Sequence, residues 1–374
     1  MIITHIVSSL NSSQGGPPKV VLDFAKYQML NGHNVNIVSQ LDENKINNQR
    51  GVNLVMGSFL TKRYYIPSLD FILKIYNNIK VSDIIHLHGV WNGVISVSAL
   101  ISRILKKKVV MTPHGSLDSF NVKNKYFFKK LYYYLFEKNN IDYIQAFHFL
   151  SKKEFKNSCW VKNINKKKIL IQPNGIDLNY LQKLKLRRKK TSSKKKFQIT
   201  FLGRLNKIKN IDLQIDLIHR LNKKKNNYFL NIIGPNDGSL NKLEKKKNIL
   251  GLNRNIKFKK PVYGIKKYSI IKNSDIVILT SFYECNSVLA IEVMSLGGVL
   301  LCTNNCNLNH ASRHGAVKVS DYKLGNLVKS VYYLSNEKNS SLIRKKALKY
   351  AKKNLDIKLN IKKILKFYKN IEIN

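Results

Sequence analysis

Short runs of β-branched and aliphatic residues alternate along this chain with longer segments whose apolar positions recur at helical spacing. In the first half, Ile2–Ser9, Val35–Ser39, Ile84–His88, Val109–Thr112, Ala146–Leu150 and Ile169–Gln172 read as strands. Helical patterns run over about Pro17 to Leu30 and Trp91 to Leu105, and a polar, poorly patterned stretch ends near residue 66. The order repeats in the second half. Strands are predicted over Phe197–Leu202, Phe229–Ile233, Ile256–Phe258, Ile276–Thr280 and Val299–Thr303. Helices are predicted from about Asn210, over Lys266–Lys272, over Val288–Leu296, and at about 321–335, 340–354 and 356–370. Strands alternating with helices in both halves predict two doubly wound parallel sheets. No internal repeat interrupts them.

Composition fixes the scale. A chain of 374 residues with 44% apolar content carries two cores of ordinary size. The patterns divide into an N-terminal domain over 1–178, a Lys-, Arg- and Ser-rich linker over 179–196, a C-terminal domain over 197–354 and a last helix over 355–374. No apolar run reaches the roughly 20 residues of a membrane span. The start MIITHIVSS reads as a strand, not a signal peptide, and the four cysteines suit a reducing compartment. A cytoplasmic protein is expected.

Charge changes this picture. Lysine and arginine number 67 against 21 acids, a formal net charge of +46. Three readings stay open: lysine-rich solvated surface, attraction to an anionic membrane face, and nucleic-acid binding. No RRM, KH, zinc-finger or helix-turn-helix signature accompanies the charge, so nucleic acid is not an expected partner. An aromatic, basic helical stretch at Lys123–Glu137 reads either as a core helix or as a membrane or acceptor surface.

Chemistry concentrates at the ends of predicted strands. Ile276–Asn304 forms strand, polar crest, helix and strand, with Glu284 in the crest and Glu292 eight residues on, inside the helix. A helix start at Asn286 to Leu289 offers amides to an anion. Two carboxylates flanking such a start suit a sugar nucleotide, with the diphosphate on the amides. The bland reading makes Glu284 a first-turn acid and Glu292 a solvated helix position. Gly15 and Gly16 after the first strand allow close approach of a phosphate or sugar, or an ordinary tight turn. His114 ends a strand within Pro113-His114-Gly115, whereas His86 and His88 read as strand packing or lining. Cys302, Cys306, His310 and His314 are spaced by four, and such a line cannot close a zinc tetrahedron.

Together these features resemble the group 1, or family 4, glycosyltransferases of the GT-B fold. The resemblance rests on Gly15-Gly16, Pro113-His114-Gly115, Pro173-Asn174-Gly175-Ile176-Asp177, Gly203-Arg204 with Lys209, and Glu284 with Glu292, in the family's order along nearly the whole chain. It implies two Rossmann-like domains facing across a cleft that holds the site, with the C-terminal helix returning toward the N-terminal domain. It implies a retaining transfer of a sugar from a nucleotide-sugar donor to a lipid-linked or growing saccharide, in bacterial O-antigen, capsule or exopolysaccharide assembly. On that resemblance Arg204 and Lys209 neutralise the leaving diphosphate, Glu284 holds the donor sugar, and Glu292 holds the ribose. Gly16, Gly203 and the amides of Asn286, Ser287 and Val288 receive phosphate. Val262, Tyr263 and Gly264 flank the base, and His114 reaches the donor sugar. No metal or other cofactor is expected, since Arg204 and Lys209 carry the positive charge. The protein would sit on the inner face of the membrane. The family's usual Gly-Phe-Gly after the first acid is Cys285-Asn286-Ser287 here. The alternatives are a GT-B sugar-nucleotide epimerase and a basic nucleic-acid-binding protein.

Overall fold

The computed structural model describes residues 1–11, 16–40, 51–61, 64–161, 168–188, 196–223 and 227–371. It divides into two compact units, one of Met1–Gly175 with Ile357–Asn374, the other of Ile176–Asp356.

The first unit contains β1 (Ile2–Val7), β2 (Asn34–Gln40), β3 (Asn53–Gly57), β4 (Phe59–Thr61), β5 (Ile66–Pro67), β6 (Ile84–His88), β7 (Lys108–Thr112), β8 (Ala146–Phe149) and β9 (Lys168–Ile171). Seven of these make a parallel sheet in the order β3-β2-β1-β6-β7-β8-β9. Most positions of β1, β6, β7 and β8 are buried whichever face they occupy, as in parallel sheets covered on both sides. The stretch before residue 66 differs from its unpatterned reading. It supplies β3, and β4 pairs antiparallel with β5. Leu54, Val55 and Met56 are only partly buried at the sheet edge, so the apolar run is too short to stand out. A helix over Leu69–Val81, capped by Ser68, also escaped the pattern.

The C-terminal helix Ile357–Lys369 belongs to this first unit, and packs on the helix Gly16–Met29. Ile357, Ile361, Ile364, Leu365 and Tyr368 recur at helical spacing and are buried. Each such aliphatic side chain contributes about 1.5–3 kcal/mol. Pro173-Asn174-Gly175 is where this helix docks. Asn360 donates to the Pro173 carbonyl at 3.0 Å. A Cβ on Gly175 would stand 2.7 Å from Ile357 Cα, so only glycine admits this approach.

The second unit contains β10 (Phe197–Leu202), β11 (Tyr228–Ile233), β12 (Ile256–Lys259), β13 (Ile276–Leu279), β14 (Leu300–Thr303) and β15 (Lys318–Ser320). They form a parallel sheet in the order β12-β11-β10-β13-β14-β15. The start of the expected linker is a helix instead. Asp177 caps Leu178–Lys183 by accepting from the Tyr180 amide, and Leu178 and Leu181 are buried in the core. Residues 189–195 of that linker lie outside the described residues.

Strand order reverses between β1 and β6 in one sheet and between β10 and β13 in the other. Loops diverge at such switch points and open a crevice at the carboxyl ends of the strands.

Candidate functional site

The chain leaves β10 through Gly203 and Arg204. Gly203 donates to the Ile233 carbonyl at 3.0 Å, and Leu205 to the Pro235 carbonyl at 2.9 Å. A Cβ on Gly234 would lie 1.8 Å from the Gly203 carbonyl oxygen, so the two loops pack backbone to backbone. A 3-10 turn over Lys207–Lys209 follows, then Asn210 at φ 48° opens the helix Ile211–Asn222.

The chain leaves β13 through Thr280. Its hydroxyl reaches the carbonyls of Lys209 at 3.1 Å and Asn210 at 2.9 Å, and accepts from Gln214 at 2.8 Å. This staple across the switch point brings Lys209 Nζ to 2.6 Å from Glu284 Oε1. Ser281 donates to the same oxygen at 2.6 Å. The Glu284 backbone is held too, its amide on the Asn305 carbonyl and its carbonyl on Asn307. Among the described residues Glu284 Oε2 takes no hydrogen bond. Lys209 and Glu284 are largely covered, at 21% and 11% side-chain exposure, so their attraction is less screened than at an open surface. Arg204 stays half exposed, 3.4 Å from Asp237.

The helix Val288–Ser295 is buried along its length after Val288. Ser287 caps it by accepting from the Ala290 amide. The amides of Val288 and Leu289 have no acceptor within the helix. Glu292 is not a solvated helix position. It is 2% exposed, and Lys267 lies 2.5 Å from Oε2. Sequence reasoning missed Lys267, whose only signal is its place one turn into the helix Gly264–Asn273. Tyr263 precedes that helix and is exposed, Gly264 has φ 56°, and Val262 packs on the core.

In the first unit, Gly16 opens the helix Gly16–Met29 and Gly15 lies outside the described residues. His114 ends the β7 turn at φ 51°, followed by Gly115 at φ 79°. Glu154, also missed from sequence, fixes this turn. Its buried carboxylate accepts from the Gly115 amide at 2.6 Å and from the Leu150 amide at 2.7 Å. The capping spacing Ser151-Lys152-Lys153-Glu154 was its available signal.

His86 and His88 are more than strand packing. With His5 they offer ring nitrogens within 4.8 Å of one another. His5 bonds His88 at 2.9 Å, and His88 bonds His114 at 3.1 Å. Burial pushes His5 and His148 down to about 4 and His114 to about 3, and carries His86 and His88 well below the usual imidazole range.

The aromatic stretch is mostly not core. Helices over Tyr126–Tyr132 and Lys138–Tyr143 flank a π-helical turn at Tyr133–Glu137. Tyr133 and Glu137 turn inward, and burial pushes the Glu137 carboxyl up to about 7. Phe127, Phe128, Leu131 and Leu135 face outward, Phe127 at 83% exposure, beside exposed Lys123, Lys125 and Lys130. Of the spaced cysteines and histidines, Cys302 and Cys306 are buried while His310 bonds Tyr350 at the surface. Among the described residues, no helix is long and apolar enough to cross a membrane.

Two family models match this chain. "Glycosyltransferase Family 4" matches residues 14–180. "Glycosyl transferases group 1" matches residues 182–363. A 41.2 kDa uncharacterized protein in the cps region of Klebsiella pneumoniae is 26% identical over 233 residues. That match spans 60% of this chain and 61% of the relative. Among solved structures, HepE of Anabaena in complex with UDP and glucose superposes with a TM-score of 0.76 at 14% identity, covering 99% of both chains. WaaG, a glycosyltransferase involved in lipopolysaccharide biosynthesis, gives a TM-score of 0.72 at 14% identity over 98% of this chain and 100% of the other.

Proposed function

The chain belongs to the group 1/family 4 glycosyltransferases, with the GT-B fold, and from that premise we propose that it moves a sugar, with retention, from a nucleotide-sugar donor to a lipid-linked or growing saccharide of a bacterial surface polysaccharide. The observation that carries this reading is the Lys209–Glu284 pair stapled across the β10/β13 switch point. A cation and a carboxylate at that point suit a ligand that is anionic at one end and rich in hydroxyls at the other. HepE holds UDP and glucose, which supports a nucleotide-sugar donor. The cps region of the Klebsiella relative and the lipopolysaccharide role of WaaG support the surface-polysaccharide setting.

In this reading Arg204 and Lys209 take the diphosphate, with the Val288 and Leu289 amides as further donors. Lys209 and Ser281 occupy Glu284 Oε1, which leaves Oε2 for sugar hydroxyls. Glu292, steadied by Lys267, takes the ribose hydroxyls. The two cations replace a divalent metal, so transfer survives EDTA. The experiment is a thermal-shift screen of nucleoside diphosphates. At least one is expected to raise the melting temperature of the wild type and less so that of Glu292→Gln. No shift with any nucleotide would sink the reading.

The acceptor side is the exposed aromatic helix. Phe127, Phe128, Leu131 and Leu135 with their neighbouring lysines fit an anionic bilayer carrying the lipid-linked acceptor. Binding to vesicles with anionic lipid should weaken in high salt, and Phe127→Ser with Phe128→Ser should weaken it further. Equal binding to neutral vesicles, indifferent to salt and to these changes, would contradict it.

A further inference from the structure

Five histidines of the first unit, four of them buried and His114 partly exposed, form one directed chain of hydrogen bonds, and its direction follows from the His148 end. His148 Nε2 lies 2.8 Å from the Gln172 carbonyl, which only accepts, so the proton is on Nε2. Burial keeps the ring neutral, so His148 Nδ1 is bare. Thr112, 3.1 Å away, must donate to it. Its proton is then spent, and Thr112 accepts from His86 Nε2 at 2.7 Å. His86 Nδ1 is therefore bare and accepts from the Tyr368 hydroxyl at 2.6 Å. Tyr368 has no proton left, so the Gln28 amide donates to it at 3.4 Å.

That turns Gln28 Oε1 toward His5, which donates from Nε2 at 2.6 Å. His5 Nδ1 in turn accepts from His88 Nε2, and His88 Nδ1 accepts from His114 Nε2. Each neutral ring has one proton and one lone pair, and the chain uses both at every ring before His114. The nitrogens of His5, His86 and His88 that come close enough for a metal are thus all spent in this chain.

We propose that Gln28, His5 and His88 are positioning residues that fix His114 as its Nε2–H tautomer, so that Nδ1 stands as a hydrogen-bond acceptor for a saccharide hydroxyl. The proposal rests on the transferase reading for what His114 meets, and on the chain alone for its tautomer. Among the described residues His114 Nδ1 takes no hydrogen bond, and it is the one ring nitrogen of the chain left over. His114 is also the only one of the five rings that is not fully buried.

Two variants separate this role from plain support of the fold. Gln28→Met removes the acceptor for His5. A buried N–H without a partner is costly, so His5, His88 and His114 reverse, and His114 carries its proton on Nδ1. Phe24→Leu trims the packing against His5, His86, His88 and His148 and removes no hydrogen bond of the chain.

The test is two-bond 1H–15N spectroscopy of the imidazoles in the full-length protein, beside steady-state transfer. The wild type and Phe24→Leu are expected to show His114 protonated on Nε2. Gln28→Met is expected to show it on Nδ1, with kcat lowered about tenfold or more and donor KM little changed. Wild-type His114 protonated on Nδ1 would overturn the proposal. So would a Gln28→Met enzyme with reversed tautomer and undiminished transfer, or equal losses in Gln28→Met and Phe24→Leu. Zinc chloride that shifts the His5, His86 and His88 nitrogens would also overturn it. Loss of all transfer in the wild type would defeat the transferase reading while the spectra still report the tautomer. Unchanged transfer in His114→Ala would remove the saccharide contact and the proposal with it.

Discussion

Acidification from pH 7 to about 5.5 is expected to destabilise the first unit strongly. His5, His86, His88, His114 and His148 are all lowered from the ordinary 6.5 in the folded protein. Below pH 6.5 the unfolded chain binds protons that the folded chain refuses, so stability falls as the pH falls. The loss continues until the pH reaches the folded values, about 4 for His5 and His148. At pH 5.5 each ring that stays neutral costs on the order of 1 kcal/mol, and the five act in the same direction. Glu137 works in the opposite sense. Its folded pKa is raised to about 7 from 4.5, so acidification over this range returns part of the loss. The net loss, on the order of a few kcal/mol, is a large share of the stability of many domains. Thermal unfolding followed at pH 7, 6 and 5.5 checks it. A melting temperature independent of pH over this range would contradict the neutral, buried cluster.

Arg204→Ala is expected to lower turnover by about a hundredfold or more, the scale for removing one electrostatic donor at a site of developing charge. In the proposed reading its charge meets the diphosphate as that group leaves, so the interaction is strongest in the transition state. Glu284 and Glu292 should divide differently. Glu292 lies inside its helix beside Lys267, and is assigned to a part of the donor that does not change in the reaction. Such uniform binding affects affinity more than turnover, so Glu292→Gln should weaken donor and nucleoside diphosphate alike. Glu284→Gln should keep nucleoside diphosphate affinity while damaging transfer, because Lys209 remains to meet the phosphate. Calorimetric titration of nucleoside diphosphate into each variant, beside steady-state transfer, decides it. Nucleoside diphosphate affinity lost in Glu284→Gln and kept in Glu292→Gln would reverse the two roles.

Much of this architecture was legible in the sequence, because buried parallel strands are short apolar runs and the helices between them keep their period. The crossover unit with Glu284 and Glu292 fell where the pattern put it, from Ile276–Leu279 through Val288–Ser295 to Leu300–Thr303. The pairing of Lys209 with Glu284 was not legible, since it depends on β10 lying beside β13 and not on spacing along the chain. The histidine chain was hidden for the same reason. Spacing by two places His86 and His88 on one face of a strand. Only the register that sets His5 beside His86 joins them to β1. The outward turn of Phe127 and Phe128 was equally hidden, because an aromatic helical segment reads alike whether it is covered or bare.

The most direct test of the account is release of nucleoside diphosphate from nucleotide sugars by the wild type and Arg204→Ala, each with and without a lipid-linked saccharide acceptor. The account predicts release by the wild type that depends on acceptor, with the sugar recovered on the lipid, and a rate about a hundredfold lower for Arg204→Ala. Equal release by both proteins, or conversion of the donor to its epimer without any acceptor, would contradict it.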